Sequence, residues 1–323
     1  MNRYARQMIL PEVGDAGQAR LGRAHVLIAG AGGLGVPVLQ YLAGAGVGHI
    51  TLIDPDRVEE TNLHRQPIYG GRTGQPKALA AQAFVQALNP ATGTEAVVGR
   101  LDPANAPALV AAADLVLDCA DSFAVSYILS DTCLAAGKPL ISASALGMEG
   151  YAGGFCGGAP SLRAVFPGLP DTAATCATAG VLGPVVGMIG CLQAQMALAV
   201  LLGLTPSPLG QLVRLSAQGL RFSAFRFDRA PEPADPGPAF IAPGAITPGD
   251  LVIDLRDAAE APRPVTPAAQ RLRPDEVPGL HPAPGQRVVL ACRSGLRAWR
   301  AAEVLRPLIP NPLALVADPG ETP

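Results

Sequence analysis

The stretch His25-Val-Leu-Ile-Ala-Gly30-Ala-Gly32-Gly33-Leu-Gly35, continued by Thr51-Leu-Ile-Asp54-Pro-Asp56, decides the fold. Residues 26–29 read as a buried strand and the glycines at 30, 32, 33 and 35 as a turn. Small and apolar residues to about 45 read as a helix, and residues 50–53 as a second strand ending in Asp54. Together they form one βαβ nucleotide-binding unit. Gly30 permits the tight turn, and Gly32 and Gly33 let backbone N–H groups approach a phosphate. Gly35 lets the helix press onto the strand, and the helix N-terminus favours the anion. Asp54, at the tip of the next strand, is placed to accept hydrogen bonds from a ribose hydroxyl. NAD, FAD and ATP sites share this pattern, so it establishes a nucleotide and leaves the chemistry open.

Composition narrows the setting. The 323 residues suffice for one large α/β domain and a smaller second one. Charged residues make up 15% and the net charge is −2, which gives no electrostatic reason to expect nucleic acid. No apolar segment of signal-peptide length follows the charged N-terminus, so a cytoplasmic protein is expected. Residues 181–204 are nearly all apolar or glycine, long enough to cross a membrane. Pro184, Gly187, Gly190, Gln193 and Gln195 argue instead for a buried helix, in the core or between subunits, and no membrane partner is expected. Cys119, Cys133, Cys156, Cys176, Cys191 and Cys292 are scattered without a C-x-x-C pair, which supports neither a zinc site nor a disulfide framework.

Along the chain, residues 1–20 are polar and read as irregular, and 55–67 as a loop rich in potential ligands. Helices are expected at 77–88, 104–112 and 127–136, and strands at 96–101, 115–119 and 139–142. Asp121 follows the strand at 115–119, so it and Asp54 face one crevice outside the carboxyl ends of the strands. Residues 147–166 read as glycine-rich antiparallel strands, 167–180 as a loop carrying Cys176, and 211–215 with 223–227 as a hairpin. The proline-rich stretch 229–239 reads as a linker between domains 1–228 and 240–323. In the second domain, strands are expected at 251–255, 287–291 and 313–316, with a helix ending near 305.

Six segments, in order, resemble the MoeB/ThiF/HesA adenylyltransferases, relatives of the ubiquitin-activating enzymes. They are Arg3-Tyr-Ala-Arg6-Gln, Gly30 to Gly35, Asn62-Leu-His-Arg65-Gln66, Gly74-Gln-Pro-Lys77, Asp118-Cys-Ala-Asp121 and Thr175-Cys176-Ala-Thr-Ala-Gly180. Val252-Ile-Asp-Leu-Arg256 with Cys292-Arg-Ser-Gly-Leu-Arg297 resembles a rhodanese strand and active-site loop. The resemblance implies an α/β protein: a Rossmann-like ATP-binding sheet with an antiparallel extension, plus a small α/β rhodanese-like domain. The implied activity is ATP- and Mg²⁺-dependent adenylation of a ubiquitin-like sulfur carrier protein ending in Gly-Gly. The carrier would serve molybdopterin, thiamine or cysteine synthesis, and the sulfur donor would be thiosulfate or a cysteine desulfurase.

Adenylation joins an anionic carboxylate to an anionic triphosphate, so it demands charge neutralisation and alignment more than acid–base work. Arg65 and Lys77 suit the triphosphate and Asp121 suits Mg²⁺. By resemblance, Asn62 and Gln66 position phosphates and Arg6 reaches the nucleotide of the other subunit of a homodimer. Cys176 is the family's loop cysteine, used by some members for a covalent carrier intermediate. Cys292 would carry a persulfide stabilised by backbone N–H groups, Arg293 and Arg297.

Two departures stand out. Ser122 occupies a position where the family commonly has Asn. Ser161 and Ala164 stand where many members have the first zinc-binding C-x-x-C pair, so zinc is expected to be absent, with apolar packing holding that corner. Two other readings are a degenerate carrier-binding scaffold and an NAD-dependent oxidoreductase. The second leaves Arg65, Lys77, Asp121 and Cys176 unexplained.

Overall fold

The computed structural model describes residues 2–168, 180–318 and 320. Its chain divides into two compact units. One comprises Met1–Leu101, Asn105–Asp121 and Leu129–Glu232, the other Asp102–Ala104, Ser122–Ile128 and Pro233–Pro323.

The first unit is built on an eight-stranded sheet. Its strands are β1 (His25–Ala29), β2 (His49–Asp54), β3 (Gly93–Val98), β4 (Leu115–Asp118), β5 (Pro139–Leu146), β6 (Glu149–Cys156), β7 (Gln211–Ser216) and β8 (Arg221–Arg226). The spatial order is β3-β2-β1-β4-β5-β6-β7-β8. The first five strands run parallel, and β6, β7 and β8 extend the sheet antiparallel. This is the Rossmann-like sheet with an antiparallel extension. Val26, Leu27 and Ile28 of β1 are fully buried, as a strand covered on both faces requires. The chain leaves β1 toward β2 and β3 and later returns to β4 on the other side. The crevice at the carboxyl ends of β1 and β4 is therefore the topological switch point, where α/β sheets bind ligands.

The apolar helix Gly183–Leu202 lies in the core of this unit. Val185, Val186, Ile189, Gly190, Ala194 and Ala197 are buried, while half of its apolar window is not. It is long and apolar enough to cross a membrane. Close approach is what its glycine provides: a Cβ on Gly190 would lie 2.3 Å from Pro37 Cγ and 2.7 Å from the Leu34 carbonyl.

Four local expectations are corrected. Residues 1–20 are not irregular, because helices form at Ala5–Met8 and Gly14–Leu21. Their signal is weak, since the second buries only Gly17 and Leu21. A Cβ on Gly17 would lie 2.9 Å from Leu202 Cδ2, so this helix is held by close packing and not by a broad apolar stripe. β3 starts three residues before the expected strand, because pairing with β2 sets His49 opposite Gly93 and Asp54 opposite Val98. The helix after β4 spans Phe123–Ala136, starting before the expected 127. After β6 the chain does not stay extended to 166 but forms the short helix Leu162–Val165, N-capped by Ser161 Oγ.

The second unit contains a wholly parallel five-stranded sheet of β9 (Ala239–Phe240), β10 (Leu251–Asp254), β11 (Gln270–Arg271), β12 (Val288–Cys292) and β13 (Leu313–Ala317), in the order β11-β10-β12-β13-β9. Helix Leu296–Leu305 buries Ala298, Trp299, Ala301, Ala302 and Leu305. The proline-rich middle, between β10 and β12, supplies the two-residue strand β11 and the 3-10 helix Pro274–Gly279, consistent with the missing N–H of proline.

Candidate adenylation site and cysteine loop

Gly30 and Gly35 are required by sterics. Gly30 has φ +99°, and a Cβ there would lie 2.6 Å from the carbonyl oxygen of Cys119. A Cβ on Gly35 would lie 2.2 Å from the carbonyl oxygen of Gly30. Gly33 is closed off by Val186 Cγ1, 2.6 Å from where its Cβ would be, with Arg65 Cγ and Cδ at 3.5 Å. Gly32 differs, since the nearest atom to an added Cβ is Gln66 Nε2 at 3.7 Å. A small open cradle therefore lies above the turn, at the N-terminus of the eleven-residue helix Gly35–Ala45, where unpaired N–H groups favour an anion.

The turn is held from both sides of one peptide residue. Ala31 N–H donates to Asp54 Oδ2 (2.7 Å), and Tyr69 Oη donates to the Ala31 carbonyl (2.7 Å). Asp54 Oδ1 also accepts from Asp56 N–H (2.8 Å). Asp54, the residue expected to meet a ribose, is thus also a brace for the turn. Burial pushes its carboxyl above the usual range, opposed by the Ala31 amide and the charge of Lys77. Burial likewise pushes the Tyr69 phenol up, so it remains a hydrogen-bond donor. Sequence spacing does not reveal Tyr69, because its role depends on the ligand-rich loop folding back over the turn.

That loop brings Asn62, Arg65 and Gln66 to the cradle. Gln66 Nε2 donates to Asn62 Oδ1 (3.2 Å), and Asn62 Nδ2 donates to Glu59 Oε2 (3.2 Å). Gln66 is 2% exposed, and its Oε1 has no hydrogen-bond partner among the described residues. A buried amide with one unmet polar atom beside a glycine cradle fits a polar ligand. Arg65 Nη1 lies 2.9 Å from His64 Nε2. Lys77 is buried, and its Nζ donates to Asp56 Oδ2 (2.9 Å), an acid the sequence reading did not single out.

Asp121 follows the end of β4. Ala29 pairs with Asp118, and Cys119 N–H donates to the Ala29 carbonyl (2.8 Å), which fixes this segment beside the turn. Asp118 is itself fully buried, accepting from Ser142 Oγ (2.7 Å). Asp121 is exposed, with no hydrogen bond or ion pair among the described residues, and so is available to a metal ion. Ser122 makes its carbonyl available to Ser126 N–H (3.2 Å) at the start of the following helix.

Arg6 is not at its own chain's turn. It is exposed on helix Ala5–Met8, whose neighbours Tyr4 and Gln7 are tied to the opposite end of helix Gly35–Ala45. Gln7 Nε2 donates to the Ala45 carbonyl (2.8 Å), and Asn89 Nδ2 donates to Tyr4 Oη (2.8 Å). The helix is eleven residues long, so about 16 Å separates its two ends. Cys176 lies outside the described residues.

The corner expected to lack zinc is held by polar contacts as well as aromatic packing, which corrects the expectation of apolar packing alone. Glu232 accepts from Ser161 N–H through Oε1 and from Ser161 Oγ through Oε2, both at 2.6 Å. Arg163 forms a bidentate pair with Asp131 (2.7 and 2.8 Å), and Phe155 stacks on Phe227.

In the second unit, Cys292 ends β12 and is buried. Its Sγ accepts from Ala298 N–H (3.4 Å) in the first turn of helix Leu296–Leu305. Arg297 donates to the Leu255 carbonyl (2.8 Å) and pairs with Glu260. Glu260, and to a lesser extent Cys292, hold its guanidinium above the usual range. Arg293 is exposed.

The profile of the ThiF family matches residues 4–236. This chain belongs to the ThiF family. It is 48% identical over 204 residues to the adenylyltransferase and sulfurtransferase of Yarrowia lipolytica, covering 62% of this chain and 52% of that protein. It is 46% identical over 233 residues to the adenylyltransferase and sulfurtransferase of Bos taurus, covering 71% and 51%. The chain thus spans about half the length of these relatives. The sulfur carrier protein adenylyltransferase of Thermus thermophilus is 43% identical over 240 residues, covering 72% of this chain and 89% of that one. The crystal structure of E. coli MccB shares the fold with a TM-score of 0.64 at 22% identity, covering 73% of this chain and 75% of that one.

Proposed function

We propose that this ThiF-family chain adenylates the C-terminal glycine of a ubiquitin-like sulfur carrier protein, using ATP and Mg²⁺ in the cytoplasm. The observation that carries the reading is the convergence on one crevice of an open glycine cradle, Arg65, Gln66, Lys77 and Asp121. The names of the relatives in Thermus thermophilus and Yarrowia lipolytica support the substrate class.

Each group has a task. The N–H groups at the turn and the amides of Asn62 and Gln66 orient phosphates, and Asp54 accepts from the ribose while bracing the turn. Arg65 and Lys77 offset the charge brought together when a carboxylate meets a triphosphate. Asp56 fixes the Lys77 ammonium. Asp121 would hold Mg²⁺, which would supply charge neutralisation to the phosphates. A carboxylate oxygen of the carrier attacks the α-phosphorus, an O–P bond forms as the α–β bridging bond breaks, and pyrophosphate leaves.

Cys292 then acts as the sulfur carrier of the second unit, loaded as a persulfide by thiosulfate or a cysteine desulfurase. Its terminal sulfur attacks the acyl carbon and releases AMP. A second thiol, for which Cys176 is the candidate, attacks Cys292 Sγ, so that the S–S bond to the acyl sulfur breaks, the thiocarboxylate leaves and a Cys176–Cys292 disulfide forms, which an external dithiol reductant reopens. Arg6, held away from its own turn, serves the second subunit of a homodimer. The domain limits 1–228, 229–239 and 240–323 remain the working division.

The test is ATP–pyrophosphate exchange with candidate carriers, followed by mass spectrometry for the thiocarboxylate. Asp121→Ala should abolish exchange, and Cys292→Ala should spare exchange while removing sulfur transfer. Undiminished exchange in Asp121→Ala would sink the metal assignment.

A further inference from the structure

The helix Gly183–Leu202 contains one fully buried polar side chain, Gln193. An uncompensated amide in such a place costs free energy, so its partners are informative. Gln193 Nε2 donates to the carbonyls of Asp118 (2.7 Å) and Ile141 (3.0 Å), and its Oε1 accepts from Cys119 Sγ (3.4 Å). Asp118 ends β4, Ile141 lies in the adjacent β5, and Cys119 begins the segment that presents Asp121.

The same segment is bound from its other sides. Asp118 Oδ1 accepts from Ala120 N–H (3.2 Å), and Cys119 N–H donates to the Ala29 carbonyl. Two turns before Gln193, on the same face of the helix, Val186 closes against Gly33. One rigid helix therefore touches both halves of the candidate site. Val186 meets the glycine turn, and Gln193 meets the strand end leading to Asp121.

We propose that Gln193 is a positioning residue that sets the Asp121 segment relative to the glycine turn, and through it the metal-dependent part of nucleotide binding. It touches no reacting atom. The metal-dependent part rests on the adenylation reading above, whereas the positioning of 118–121 does not.

The test compares the wild-type chain with Gln193→Met, which keeps length and apolar bulk and removes the amide. Two quantities are read: amide hydrogen exchange without nucleotide, and the Kd for ATP with and without Mg²⁺. Exchange at 118–121 should accelerate about tenfold, with β1 and β2 unchanged. The Kd for ATP with Mg²⁺ should rise about tenfold, with the Kd for ATP alone unaltered. Unchanged exchange at 118–121, or a uniform acceleration across the sheet, would overturn the assignment. An equal rise in Kd with and without Mg²⁺ would also count against it. Failure of the adenylation reading has a different signature: the wild-type chain binds ATP but shows no carrier-dependent pyrophosphate exchange. The amide rates decide the role of Gln193 in either case.

Discussion

At the level of single residues, the glycine turn combines two constraints that look alike in the sequence. Gly30 and Gly35 are required by backbone collisions with the Cys119 and Gly30 carbonyls. Gly32 has no such collision, and its φ is not among the left-handed ones. Gly32→Ala should therefore keep the unfolding free energy within about 0.5 kcal/mol while weakening ATP binding, because the methyl enters the cradle. Gly35→Ala should lose the fold of this region. Denaturant unfolding and ATP titration of both variants check this, and equal stability losses would show that the cradle is not open. Glycine spacing made these positions legible, and strand-end placement singled out Asp54. The brace from Tyr69 was not legible, since it depends on a contact across 38 residues.

At the level of elements, two joints carry testable energetics. The first is the Ser161–Glu232 contact, which joins chain segments 71 residues apart. Glu232→Gln should cost about 1.5–3 kcal/mol, the range for hydrogen bonds to a charged group. Chelation by EDTA should leave the Tm of the wild type unchanged, and a Tm that collapses on chelation would contradict the polar joint. The second is Asp250, which accepts from Arg287 Nε (2.9 Å) and Nη2 (2.6 Å) at the start of β10.

The Arg287 guanidinium, helped by the Thr247 N–H (2.7 Å), holds the Asp250 carboxyl down at about 2. A depressed carboxylate stabilises the fold above its unfolded value and loses that contribution as the pH falls through the folded value. Arg287→Met should therefore destabilise the second unit by about 1 kcal/mol at pH 7, with the gap to wild type closing between about pH 4 and pH 2. A gap independent of pH would mean that the pair does not set the titration. Neither joint follows from local pattern, because charged residues near proline-rich segments read equally well as solvated surface.

At the level of the whole molecule, the N-terminal arm is anchored through Tyr4 and Gln7 at the far end of helix Gly35–Ala45, with Arg6, Ile9 and Leu10 exposed. That placement suits an arm serving another copy of the chain. Arg6→Ala and Asp121→Ala, each inactive in exchange, should restore activity when mixed and allowed to reassemble, since one composite site per dimer then holds both native residues. Absence of recovery from a mixture proven to contain heterodimers would remove Arg6 from the partner's site.

The sequence by itself determined the βαβ unit, the order of strands and helices that makes a parallel sheet, and the family membership. The first two follow from short-range periodicity and from glycine sterics, which act over a few residues, and the third from six motifs standing in the family's order. Tertiary structure alone decided which groups Gln193 of the apolar helix bonds, which contacts hold the corner at Ser161, and to which end of helix Gly35–Ala45 the neighbours of Arg6 are tied. Those answers rest on hydrogen bonds between residues tens of positions apart, whose pairing is fixed only once the sheet and its covering helix have packed. The glycine stretch at 30–35 named a ligand class. The contacts of Asp54, Tyr69 and Val186 are what hold it in shape.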